Sequence, residues 1–269
     1  MENEILLLWL STSFYVLAGS LAIIAVVMSR RFDKAILVLL CMGLLVQGFS
    51  IGLRWERLGH GPYLTMFEIL LSNIFSLFLI FSLVYWRYRI IRPIAAVVLP
   101  IMFIMMGWLL VSDSVAGHLP PTYDTTWLIF HILFGKVFLG AVLVALGISG
   151  VILLRRFRLG GKFSSLPDDR KLDELAYRFM ALGFIFQTLM LIAGAIWAQD
   201  AWGRYWAWDP LETWSFVNWI ILAFALHLRV TYKPSPVRGA VLIYVVFIIA
   251  FLNFFGVPFI SEVPHQGAI

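Results

Sequence analysis

The sequence predicts an all-α polytopic membrane protein with about eight transmembrane helices. Three observations carry this. Of the 269 residues, 62% are hydrophobic and 13% are charged, against about 45–50% and about 25% in soluble domains. The apolar excess runs along the whole chain instead of forming one anchor on a soluble body. The apolar runs are continuous and not alternating, which disfavours a membrane β-barrel. A soluble enzyme is thereby excluded.

The spans fall in order at about 5–28, 35–53, 65–86, 93–111, 126–154, 178–199, 215–232 and 239–258, each near the roughly 20 apolar residues that cross a bilayer. The first follows two glutamates and no basic residue, so it reads as a retained helix and not a cleaved leader. Arg30, Arg31 and Lys34 separate it from the second span. Arg54, Arg57 and His60 mark the next loop, and Arg87, Arg89 and Arg92 the one before the fourth span. The loop before the fifth holds His118. The fifth span is long enough to tilt or to extend past the lipid. A loop at about 155–177 precedes the sixth, and one at about 200–215 precedes the seventh. Lys233 and Arg238 bracket the last turn. No fixed-period repeat or low-complexity segment occurs, so residues 1–269 read as a single membrane domain.

Alternate loops differ sharply in charge. One side collects sixteen basic residues, including Arg155, Arg156, Arg158, Lys162, Arg170, Lys171, Arg178 and Arg229; the other has Arg54, Arg57 and Arg204. Basic loops stay cytoplasmic, so both termini are expected on the outer, periplasmic or extracytoplasmic, side. The net charge of +5 is thus a topology signal, and no nucleic-acid motif accompanies it. The 155–177 loop also carries Asp168, Asp169, Asp173 and Glu174 and reads as a cytoplasmic connector held near anionic lipid. The single cysteine, Cys41, lies in an apolar run, which excludes dithiol chemistry, a structural zinc site and covalent haem on this chain.

Six of the eleven tryptophans lie between Trp197 and Trp219, in WAQDAWGRYWAWDPLETWSFVNW. One or two would fit an interfacial belt. Such density in a loop broken by Gly203 and Pro210, with Asp209 and Glu212 among the rings, fits a platform for a flat apolar ligand with polar edges. Arg204 could meet an anionic edge. Of the five histidines, His60, His118, His131 and His265 map to the outer face, and His227 to the inner part of span seven. His227 follows Trp214 by 13 residues, roughly 20 Å along a helix. His131 and His265 could give two axial imidazoles to one metal, and haem suits the pair best. Zinc or copper would want a tighter cluster. Lys136 and Glu68 are charges within spans; Lys136 faces a polar cavity or pairs with a carboxylate here or on a partner.

The stretch from Trp202 to Trp214 resembles the tryptophan-rich WWD signature of haem-handling proteins in cytochrome c maturation. The match comprises Trp202, Gly203, Trp206, Trp208, Asp209, Pro210, Glu212 and Trp214, with Leu211 where the family often has lysine. Chain length and span count resemble the System II CcsA (ResC) type. So do RWERLGHGPYLTMFE with His60, TWLIFHILFGK with His131, LHLR with His227, and LNFFGV followed by His265.

The resemblance implies a carrier of haem b, held non-covalently in transit, in a bacterial cytoplasmic membrane or the thylakoid equivalent. His227 would be one iron ligand of an inner site whose opposite ligand comes from a CcsB (ResB) type partner. His131 and His265 would hold the iron at the outer WWD site. There reduced haem would meet an apocytochrome c CxxCH motif for thioether attachment, making the chain a haem lyase component. Thiol-reducing proteins are further implied partners. No nucleophile of this chain is needed, and no residue is expected to be catalytic; its contribution is positioning and protecting the haem. A HemX-like haem-binding regulator shares the architecture, and a b-type electron carrier is a third reading. The complete WWD segment and the placement of histidines near helix ends favour haem presentation over both.

Overall fold

The computed structural model describes residues 2–117, 120–157 and 160–257. Every regular element among them is helical, and eight helices are long and apolar enough to cross a membrane. They are α1 (Glu2–Val27), α2 (Asp33–Leu58), α3 (Met66–Arg87), α4 (Ala95–Val111), α5 (Thr126–Leu154), α6 (Asp169–Trp202), α7 (Pro210–Tyr232) and α8 (Pro236–Phe251); the fourth span begins with the preceding turn at Arg89 and the eighth runs on to Gly256. The expected eight spans are present, and the protein is a polytopic membrane protein. The chain clusters into two compact units: Met1–Leu119 with Leu154–Pro167, and Pro120–Leu153 with Asp168–Ile269.

The first unit contains α1 to α4. Thr65 and Glu68 form a reciprocal capping box at the start of α3, which satisfies N–H groups that the first helical turn leaves bare. Gly59 ends α2 at φ 77°, with its N–H donating to the Trp55 carbonyl at 2.8 Å. Only glycine adopts that backbone without cost. A six-residue 3-10 turn, Arg89–Ile94, leads into α4, because Pro93 lacks the N–H needed to continue an α-helix. In the core, Tyr15 stacks on Phe78 with ring centroids 3.6 Å apart and donates its hydroxyl to Gln47 Oε1 at 2.8 Å. Gln47 Nε2 in turn donates to the Leu71 carbonyl at 3.1 Å.

Arg54 and Arg57 were expected in a loop. The structure puts both in the last turns of α2, Arg54 buried and Arg57 exposed, where they join one charge network. Arg54 donates to Glu68 Oε1 at 2.9 and 3.2 Å and to the carbonyls of Ser114 and Val115. Arg57 binds Glu4 through both carboxylate oxygens, at 2.6 and 2.9 Å. One end of α1, α2 and α3 and the segment after α4 are thus tied by charge. A buried cation is tolerable only with such full pairing.

In the second unit α5 buries every residue from Phe138 to Ile152. α6 begins at Asp169, well before the expected 178. Asp168 caps it by accepting from the Lys171 N–H at 2.9 Å, and that bond holds the Asp168 carboxyl below its ordinary value. The 155–177 connector therefore ends at Asp168. Its remaining part, in the first unit, is organised by Arg155, which donates to the carbonyls of Phe163, Leu166 and Pro167. At 34 residues, α6 is about 51 Å long, well beyond a hydrocarbon core of about 30 Å. Asp173 near its start pairs with Arg229 of α7 at 2.7 Å. α8 passes into a π-helical turn, Leu252–Gly256.

Candidate functional site

The tryptophan-rich segment lies in the second unit and joins α6 to α7. It is shorter than the 200–215 expected, because helix occupies both flanks. Gly203, at φ 72°, stops α6 by donating its N–H to the Gln199 carbonyl. Asp209 then starts α7 by accepting from the Glu212 N–H at 2.8 Å, with Pro210 in the first helical position. Glu212 reaches back with Oε2 to accept from the Ala207 N–H at 2.7 Å. The Asp-Pro-x-Glu stretch is therefore a helix-start device. Asp209 and Glu212 were expected among the rings of a ligand platform; their N-cap and N3 spacing is the sequence signal for the capping role.

Between these stops the loop spans only 203–209. Arg204 and Tyr205 are exposed and Trp206 is half-buried. Trp208 has φ 61° and is 67% exposed. A bulky residue in the left-handed region is strained. The strain is held by neighbours: the Thr213 hydroxyl donates to the Trp208 carbonyl at 3.2 Å while the Asp209 cap begins at the next residue.

The rings fall into two groups. Trp206 and Trp208 meet edge to face at 5.7 Å, and both meet Phe216. Phe216 stacks on Trp219, which stacks on Phe184. The second group contains Trp197, with Trp202 at 5.0 Å, Tyr123 at 5.2 Å and the His131 ring at 6.0 Å. Trp197 also donates from Nε1 to the Thr122 carbonyl at 3.0 Å, fixing the chain before α5. Burial there pushes the Tyr123 phenol above its ordinary value. Trp214 is exposed at the start of α7.

His131 lies in the second turn of α5, and its Nδ1 sits 2.9 Å from the Met190 carbonyl of α6. A carbonyl only accepts, so Nδ1 carries the proton and Nε2 the lone pair. This is how metal-binding imidazoles are usually oriented. Gly194 of α6 makes the room: a Cβ there would come within 2.6 Å of His131 Nδ1.

His227 is exposed on α7, with Nε2 3.4 Å from the Thr231 hydroxyl. His60 belongs to the first unit and is buried, its two ring nitrogens 2.9 and 3.3 Å from the carbonyls of Gly61 and Gly117. Lys136 lies in α5. Glu68, read from the sequence as a charge inside a span, is the partner of Arg54 and a capping residue. His118 and His265 lie outside the described residues.

The chain matches the family described as cytochrome c assembly protein over residues 35–265. Among similar proteins is a cytochrome c biogenesis protein CcsA from Cuscuta exaltata, 31% identical, with 83% of each chain covered. The CcsA of Guillardia theta is 29% identical over 80% of this chain and 79% of its own. That of Prochlorococcus marinus (strain MIT 9515) is 28% identical over 79% and 77%. The complete tryptophan motif, the eight apolar helices and a match across most of the chain agree: this chain belongs to the cytochrome c assembly protein family.

Proposed function

We propose that the chain acts as one membrane domain that delivers haem b across the membrane. It presents the reduced haem at the 203–209 loop for thioether attachment to the CxxCH motif of apocytochrome c. His131 is the observation that carries this reading. Its Nδ1 is oriented by the Met190 carbonyl, and its ring lies beside Trp197 and Trp202 at the foot of the loop. His131 Nε2 would hold the haem iron. By resemblance so would His265. Trp202, Trp206, Trp208 and Trp214 would stack on the macrocycle, and exposed Arg204 suits a propionate. Gly203, Asp209, Pro210 and Glu212 act by shaping the loop. His60 would have to leave its two carbonyl contacts to take part.

Bound haem supplies the vinyl groups, and the client supplies the thiols. The chain's own work is orientation and exclusion of water. Both termini would face the outer side, on the asymmetry of basic loops. That membrane would be a bacterial cytoplasmic membrane or a thylakoid. Thiol-reducing proteins would keep the client cysteines ready.

His227 supports an inner site shared with a CcsB (ResB) type partner. It lies on α7, where Ile220, Phe224 and Val230 are also exposed. An imidazole facing lipid would be costly, and a second membrane protein covering this face removes the cost. At roughly 20 Å from Trp214 by helix rise, His227 is too far inward to share one iron with His131.

The test is His131→Ala, purified with its partner. Haem at the outer site and mature cytochrome c should both fall, and added imidazole should restore part of each. Wild-type haem content together with normal maturation would overturn the assignment. Transfer of haem to a CxxCH peptide also separates this reading from quinol-driven reduction by an electron carrier.

A further inference from the structure

The helices that frame the loop also enclose an amide cluster with no role in the function proposed above. Gln187 on α6, Asn218 on α7 and Asn253 in the π-helical turn after α8 are 0%, 0% and 2% exposed. Gln187 Nε2 donates to the Ser215 backbone carbonyl at 3.2 Å, and Asn253 Nδ2 donates to the Ser215 hydroxyl at 3.1 Å. Ser215 therefore ties α7 to both neighbours. Asn218 stands three residues further along α7 and shares the Ser215 face. The remaining polar atoms are orphaned. Among the described residues, Gln187 Oε1, Asn253 Oδ1 and both Oδ1 and Nδ2 of Asn218 have no hydrogen-bond partner. The Ser215 carbonyl can only accept, which fixes the Gln187 amide with its oxygen as the orphan.

Buried polar groups are almost always paired, and amides in a dry membrane interior are costly to leave bare. Four orphans, two on the amides bonded to Ser215 and two on the same face of α7, beside a π-helical turn of the kind that often marks a functional position, call for an occupant. The chemistry of the orphans selects it. Three are oxygens and one is an NH2 group, so the guest must both donate and accept. A metal cation would leave Asn218 Nδ2 bare, and an anion would face three oxygens. The Ser215 contacts at 3.1 and 3.2 Å keep the helices close, which restricts the guest to a very small molecule. We propose that Gln187, Asn218 and Asn253 form a binding site for internal water that bridges α6, α7 and α8. This site lies about 12 Å along α7 from its first residue.

The experiment uses the full wild-type chain with its membrane partner in lipid nanodiscs, at a map resolution that shows water. At least one ordered water is expected within hydrogen-bond distance of two of the orphan atoms. Amides that instead bond one another directly, with no water density between them, would overturn the site. Thermal unfolding of the haem-free protein gives a second reading. Asn218→Leu and Asn253→Leu should each lower the Tm, and the double variant should lose less than the sum, because the two share one water network. A Tm raised by Asn218→Leu, with additive effects, would mean that the amide is simply bare, and would refute the proposal. A variant that fails to fold leaves the wild-type map decisive. Neither reading depends on whether His131 binds haem.

Discussion

Gly194 is the residue on which His131 depends most directly. A methyl group there would press on His131 Nδ1, within 2.6 Å, where the bond to the Met190 carbonyl is made. Gly194→Ala should therefore weaken haem binding about 10–100-fold, the usual effect of losing a ligand's orienting partner. Titration of haem into the purified variant, with the Soret band as readout, checks this; unchanged affinity with a normal spectrum would show that Nδ1 needs no such orientation. Trp208 allows the opposite kind of test. Its backbone is strained at φ 61° and its ring, largely exposed, meets Trp206 and Phe216 by edge contacts, so relief of the strain offsets the packing lost with the ring. Trp208→Gly should keep or raise the Tm while lowering haem retention. A Tm fall of several degrees would assign the ring to packing and not to display.

At the level of elements, the loop depends on how two helices stop and start. Asp209→Asn keeps an oxygen that can accept from the Glu212 N–H, so it should leave the loop nearly intact. Asp209→Ala removes the cap and should cost about 1 kcal/mol, with haem retention falling alongside the Tm. Equal loss in both variants would mean that the Asp209 charge matters beyond capping. In the first unit, Arg54 holds Glu68 and the Ser114 and Val115 carbonyls at 2% exposure. Arg54→Ala leaves a buried carboxylate uncompensated, a loss of about 3–5 kcal/mol. A Tm close to wild type would show that water already reaches this network. The helical elements themselves were legible, since long apolar runs admit few other solutions in a membrane. Their ends were not. α2 runs five residues past the expected 53, through the turn where Arg54 is paired, and α6 and α7 start early because Asp168 and Asp209 cap them.

For the whole molecule, the proposed topology and partnership are testable together. Cysteine labelling from either face of the membrane should place both termini on the outer side, and labelling of residues 30–34 should occur only from the inner side. A bis-histidine inner haem should appear only when the partner is co-purified. An inner bis-histidine haem in this chain alone would refute the shared site. The membrane class, the eight spans, the charge asymmetry and the tryptophan motif are legible from the sequence, because each depends on composition or local spacing. The sequence also singled out His131 and the motif residues. What these residues touch is set by the packing of the folded chain. It gave Asp209 and Glu212 their structural bonds, set His131 against the Met190 carbonyl, and joined Arg54 to Glu68. It also gathered Gln187, Ser215 and Asn253 from three separate helices. Contacts of this kind arise between residues far apart in the chain, where helix packing and not local spacing sets the neighbour.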